Sequence, residues 1–192
     1  GLVLEQDGSR REIPHPRIRS VRTVADAVAE WLDLRHDGLS VAADWSLAEA
    51  AQTQGLDTLA RLQAYHVLLR DADHAPAHAL LGHVGAPGKW KWRFDDELVS
   101  APTFARRAGS ERFSLQSAHF TLESRSGLRV AIDTLFDLER TYTVFWRELG
   151  VELELRIGVN TGAVIAGDPR LGQRLVTGDA VNVAARLEQT AL

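Results

Sequence analysis

The sequence predicts an α+β fold, on three observations. Val151, Leu153, Leu155 and Ile157 alternate with Glu152, Glu154 and Arg156, the period-two pattern of a strand with one buried face. Lys89, Lys91 and Arg93 alternate with Trp90, Trp92 and Phe94, a second strand with a basic and an aromatic face. Between these, Leu128, Ala131, Ile132, Leu135, Leu138, Tyr142, Phe145, Trp146 and Leu149 recur at helical spacing, and Gly150 stops the run.

Composition bounds what such a fold can be. A chain of 192 residues, 45% hydrophobic, suffices for one ample domain or two small ones with a real core. The net charge of -4 gives no electrostatic reason to expect a nucleic-acid or membrane partner. With no cysteine there are no disulfides and no thiolate metal sites. No apolar run approaches the roughly 20 residues of a membrane helix, and no signal peptide is visible, so the expected location is cytoplasmic. Opening at Gly1 with no methionine, the chain reads as a piece of a longer protein.

In chain order, Leu2 to Ile13 reads as a hairpin around Asp7-Gly8, and the segment to Arg22, with Pro14 and Pro16, as a linker. Thr23 and Asp26 form a capping signal for a helix whose stripe is Val24, Val28, Trp31 and Leu32, ending near Gly38. Residues 1–38 are thus expected to form an N-terminal hairpin and helix, and 39–192 a second domain. Leu39 to Asp44 reads as a short buried strand, and Ser46 with Glu49 as a capping box for a helix that Gly55 interrupts. Leu59, Leu62, Tyr65, His66 and Leu69 mark the next helix. Asp71, Asp73, His74, His78 and His83 have a spacing that superficially suits a metal, but Pro76 should break any helix aligning His74 with His78, which favours solvated loop histidines. The Lys89–Phe94 strand could stack and steer single-stranded nucleic acid; in an acidic chain, core packing is the better reading. Residues 100–125 carry little periodic signal.

The richest stretch is Leu155–Leu192. Gly158 and Gly162 bracket a bend, residues 162–167 form a short apolar segment between glycines, and Gly167-Asp168-Pro169 turns the chain. From Gly178-Asp179 the pattern is helical, with Val181, Ala184, Ala185 and Leu187 on one stripe and Asp179 suited to the helix N-terminus. Asn182 and Arg186 then lie one turn apart on one face. A guanidinium can meet a phosphoryl charge in fork geometry, and an amide a turn earlier can bond a sugar oxygen; the bland alternative is a solvated face on which Arg186 meets an acidic neighbour.

Taken whole, LRIGVNTG, then AGD, then VTGDAVNVAARLE resembles the second half of a class III nucleotidyl cyclase domain, across Gly127 to Ala191 and densely from Val151. The resemblance implies a ferredoxin-like sheet with helices packed on it, here incomplete. It implies conversion of ATP, ahead of GTP, to the cyclic 3',5'-monophosphate and pyrophosphate for intracellular signalling, with two Mg2+ or Mn2+ ions. Asn182 resembles the ribose-orienting asparagine and Arg186 the arginine that stabilises charge at the α-phosphate. Leu175 falls at the purine-selecting position, where the family usually has a polar residue, and Thr177, Gly178 and Asp179 follow it at the nucleotide.

Family sites form between two chains, metal aspartates from one and the asparagine and arginine from the other, which implies a homodimer or a heterodimer with a complete cyclase domain. The family's metal-binding strings are missing here. The nearest positions are Asp44, ending the expected 39–44 strand, and Asp95 or Asp96, ending the basic-aromatic strand, with Asp44 and Asp96 the candidate pair and Lys91 near a base-contacting lysine. Two alternatives stand beside the enzyme: a cyclase-like domain that keeps fold and dimer surface without catalysis, and an unrelated N-terminal binding module joined to a cyclase fragment.

Overall fold

The computed structural model describes residues 2–6, 9–13, 23–36, 38–149, 165–166 and 176–177. The chain separates into two compact units, Gly1–Arg147 and Glu148–Leu192. The described residues form an α+β structure of helices and short antiparallel strand pairs.

In the first unit, β1 (Leu2–Gln6) and β2 (Ser9–Ile13) form the expected hairpin, with Leu2 opposite Ile13 and Gln6 opposite Ser9. Helix α1 (Val24–Leu34) opens with a complete capping box: the Thr23 hydroxyl accepts from the Asp26 amide, and the Asp26 carboxylate accepts from the Thr23 amide. Its inner face buries Val28, Trp31 and Leu32.

Residues 39–44 are not a strand. Ser40 caps helix α2 (Val41–Thr53), its side chain accepting from the Ala43 amide, and Asp44 lies in the first turn. Ala42 and Ala43 favour helix, and a six-residue stretch with four apolar residues cannot by itself separate buried strand from buried helix. Ser46 is accordingly not a cap; it sits inside α2 and donates to the Ala42 carbonyl. Gly55, in the left-handed region at φ +73°, turns the chain into α3 (Asp57–Leu68).

Helix α4 (Ala75–Leu80) forms despite Pro76, because proline in the first turn removes an amide that has no helical partner there. His74 caps it, its Nδ1 accepting from the Ala77 amide. Then come β3 (Lys91–Phe94) and β4 (Glu97–Ser100), joined by the two-residue turn Asp95-Asp96 with Asp95 at φ +50°. Helix α5 (Ala101–Ala108) follows, and then the pair β5 (Phe113–Gln116) and β6 (Thr121–Ser124). The long helix α6 (Leu128–Leu149) closes the order where the sequence places it.

One continuous core joins the elements from α1 to α6. Trp31, fully buried, stacks on Phe136 of α6 at 6.1 Å and donates its indole N–H to the Leu47 carbonyl at 2.8 Å. Leu59, Leu62, Trp92, Phe94, Phe104 and Ile132 extend it. α6 is fastened to α1 at its far end, where Trp146 donates to Asp26 and Arg147 pairs with Asp33.

In the second unit only two short strands are described, β7 (Ile165–Ala166) and β8 (Val176–Thr177), antiparallel with Ile165 opposite Thr177. None of the described helices is long and apolar enough to cross a membrane.

Candidate functional site

Asp44, one of the two candidate metal ligands, is 2% exposed. The first turn of α2 aims its carboxylate at α3. There Gln63 donates to Oδ1 and to the Asp44 carbonyl, both at 3.2 Å, and the Arg70 guanidinium pairs with Oδ2 while donating its other terminal nitrogen to the Leu39 carbonyl. His66 Nδ1 lies 3.6 Å from the same Oδ2. Asp96, like Asp95, is exposed at the tip of the β3–β4 turn.

A divalent ion of the magnesium type asks for near-octahedral oxygen ligands that include uncommitted carboxylates. Asp44 is already neutralised by a guanidinium and bonded by an amide, so Asp44 and Asp96 as placed do not fit such an ion. Among the described residues no group of three or more potential protein ligands gathers. Lys91 is exposed on the face of β3 opposite Trp92 and Phe94, and its backbone bridges to Val84. Thr177 is described only as part of β8, while Leu175, Gly178, Asp179, Asn182 and Arg186 lie outside the described residues.

The Asp44 pair borders an open cavity of about 280 Å³ whose lining includes Arg35, His36, Gly38, His66 and Arg70. The Arg35 guanidinium lies 3.8 Å from the centre of the Phe136 ring, a cation on an aromatic face. Burial, then the positive charge of Arg35, holds the His66 ring below its ordinary range; Asp44 opposes this and Arg70 adds to it. Sequence reasoning missed this cluster because Arg70 meets Asp44 across 26 positions.

His78 and His83 are also not the solvated loop residues expected, while His74, half-buried, stands just outside α4 as its cap. His78 is fully buried and His83 is 6% exposed. His78 Nε2 is 2.9 Å from the Ala72 carbonyl, and the two Nδ1 atoms are 2.8 Å apart. A carbonyl only accepts, so Nε2 of His78 carries the hydrogen; a neutral His78 then accepts at Nδ1, and His83 donates from its own. Trp90 stacks on His78 at 4.1 Å and Trp92 on His83 at 4.9 Å. Burial, reinforced by His78, Arg61 and Arg93, pushes the His83 pKa down to about 4. The aromatic face of β3 was legible; that two imidazoles complete it was not.

A third polar cluster joins the β5–β6 turn to α6. Fully buried Glu139 accepts from the His119 amide and from its ring Nδ1, both at 2.7 Å, and the ring stacks on Tyr142 at 4.2 Å. It pins the turn to the helix, in residues where the sequence carries little periodic signal. Comparison with protein-family models, with characterised proteins and with solved structures returned no match to this chain.

Proposed function

We propose that the chain carries the half of a class III nucleotidyl cyclase site that presents Asn182 and Arg186, and that residues 1–147 are a unit of their own attached to it. The observation that carries this reading is the coincidence of two boundaries. The chain divides between Arg147 and Glu148, and the cyclase-like string becomes dense at Val151. The engaged carboxylate of Asp44 supports the second half of the proposal, since the first unit uses that residue to join α2 to α3.

In this reading the substrate is ATP, with cyclic AMP and pyrophosphate as products, in the cytoplasm. The residues from 148 belong to a ferredoxin-like sheet completed by segments beyond those described. Asn182 holds the ribose so that its 3'-hydroxyl faces the α-phosphate, and the Arg186 guanidinium stabilises the charge that develops there. Leu175, Thr177, Gly178 and Asp179 line the approach of the base and phosphates. The carboxylates for the Mg2+ or Mn2+ ions belong to a second chain, a complete cyclase domain, and the active species is a heterodimer.

Mixing tests this. The full chain is combined with a complete class III cyclase whose own counterpart of Arg186 has been changed to alanine, and cyclic AMP formation from ATP is measured with Mn2+. Product is expected, and Arg186→Ala in this chain should lower it about 100-fold or more, as removal of a charge-stabilising donor does. Activity unchanged by Arg186→Ala refutes the assignment. Absence of product in every combination favours instead a cyclase-like domain without catalysis.

A further inference from the structure

We propose that the cavity between α3 and β5 is a binding site for a small carboxylic acid carrying one apolar group, its carboxylate taken by Arg61 and Tyr65. Nothing in the cyclase reading requires it, and it lies wholly within the first unit.

The size of the cavity sets the size of the ligand. Its volume is about 210 Å³. An apolar cavity of about 150 Å³ holds a benzene ring, so a single ring, or a branched chain of similar bulk, fits with a carboxylate beside it. Leu62 and Leu115, both buried, supply the apolar part of the lining. The Tyr65 ring forms a wall between them and solvent-facing residues, held in place by stacking on Phe104 at 6.3 Å and by a tilted contact with His83 at 6.0 Å. An apolar cavity with a few convergent polar groups is the usual form of a small-molecule site.

The polar groups set the ligand's charge. Thr58, Arg61, Leu62 and Tyr65 recur at spacings of three and four along α3 and so share one face. Arg61 is the one charged residue among those lining the cavity. Its Nη1 donates to the Leu80 carbonyl at 3.0 Å, which anchors the guanidinium; with five N–H donors, the fork has others left for a carboxylate. The Tyr65 hydroxyl has no hydrogen-bond partner among the described residues. Burial raises the Tyr65 pKa above its ordinary range, with Arg61 and Arg93 opposing, so the phenol is protonated and can donate. The side chains of Thr58, Ser114 and Gln116 are likewise without a partner among the described residues, and an ionised carboxylate has room for about four donors. Glu123, opposite Ser114 across the β5–β6 pair, is engaged by Arg112 at 3.2 Å and brings no unpaired negative charge to this edge.

The experiment is a titration of the full chain, isotope-labelled for amide NMR, with benzoate and separately with benzyl alcohol, the same ring without the charge. The Ser114, Leu115 and Gln116 amides should shift saturably with benzoate, at a dissociation constant on the order of 1 mM for so few atoms. Benzyl alcohol should bind about tenfold more weakly, for want of a charge-assisted hydrogen bond. Arg61→Gln, a change at an exposed residue, should reduce benzoate to the level of benzyl alcohol. Tyr65→Phe, which keeps the stacked ring and loses only the hydroxyl, should weaken benzoate about fivefold. Arg129→Gln, exposed on α6 and not among the lining residues, should leave both ligands unaffected. Absence of a saturable shift at those amides, equal affinity for the two ligands, or benzoate binding undiminished by Arg61→Gln overturns the site. Should the Arg61 variant fail to fold, the wild-type contrast between benzoate and benzyl alcohol decides.

Discussion

Protonating the buried imidazole pair should destabilise the first unit, and His83→Gln should remove most of that effect. His83 is 6% exposed and stacked on Trp92, and its folded pKa is about 4 against an ordinary 6.5. Between those values the unfolded chain binds more protons than the folded one, so stability falls as pH falls. The contribution is fully present above 6.5, declines by up to about 1.4 kcal/mol per pH unit, and is exhausted near 4, a total of about 3 kcal/mol. His78, lowered chiefly by burial although its bond to the Ala72 carbonyl opposes this, adds a slope of the same sign. The assay is urea unfolding followed by tryptophan fluorescence at several values between about pH 7 and pH 4.5, in wild type and His83→Gln. Groups remote from the pair contribute to both curves and cancel in the difference. The wild type should lose about 2 kcal/mol more than the variant over this window. Parallel curves would refute the claim that His83 is held neutral by its surroundings.

Two further outcomes rest on packing. Arg70→Met leaves the Asp44 carboxylate buried with only Gln63 and His66 nearby; because the Arg70 side chain is about one-third exposed, the cost should be about 2 kcal/mol in urea unfolding rather than the roughly 3–5 of a fully buried pair, and Arg70→Met with Asp44→Asn should cost less than the sum of the two. Gly85→Ala should lower stability by about 2 kcal/mol or more in thermal unfolding, because its Cβ would lie 2.6 Å from the Lys89 carbonyl oxygen at φ +139°. Gly88→Ala, in open space at φ +74°, should cost only about 1.

The sequence was legible where free energy is local. The Thr23–Asp26 box, the alternation across Lys91–Phe94 and the stripe of α6 from Leu128 to Tyr142 are set by neighbours within four residues, and the structure has each of them. Residues 100–125 were opaque for a physical reason: α5 has eight residues and β5 and β6 four each, too short for a period to establish itself. What holds them is remote. Phe104 and Phe94 meet edge to face at 5.5 Å, and His119 reaches Glu139 across 20 positions. The residues carrying the cyclase resemblance, Asn182 and Arg186 foremost, were legible only as a string, and they lie outside the described residues.

Asp44 shows how far one local misreading propagates. As the last residue of a strand, it would have stood at a sheet end with a carboxylate open to a cation. Ser40 decides otherwise. By capping α2 it winds residues 41–44 into a first turn, and the same carboxylate turns inward to α3, where Gln63 and Arg70 close on it. The negative charge is then engaged inside the fold, beside a cavity whose described lining includes Arg35, His36, Leu39, His66 and Arg70. Residues 41–44, helix where a strand was expected, thus turn a carboxylate that would have stood open to a cation into one committed to α3 and Arg70. Ser40→Ala tests that chain of cause directly. It should cost about 1 kcal/mol in urea unfolding, and less in an Asp44→Asn background, where the first turn no longer presents a charge to Arg70. Equal costs in the two backgrounds would mean that the first turn of α2 does not position the Asp44 carboxylate.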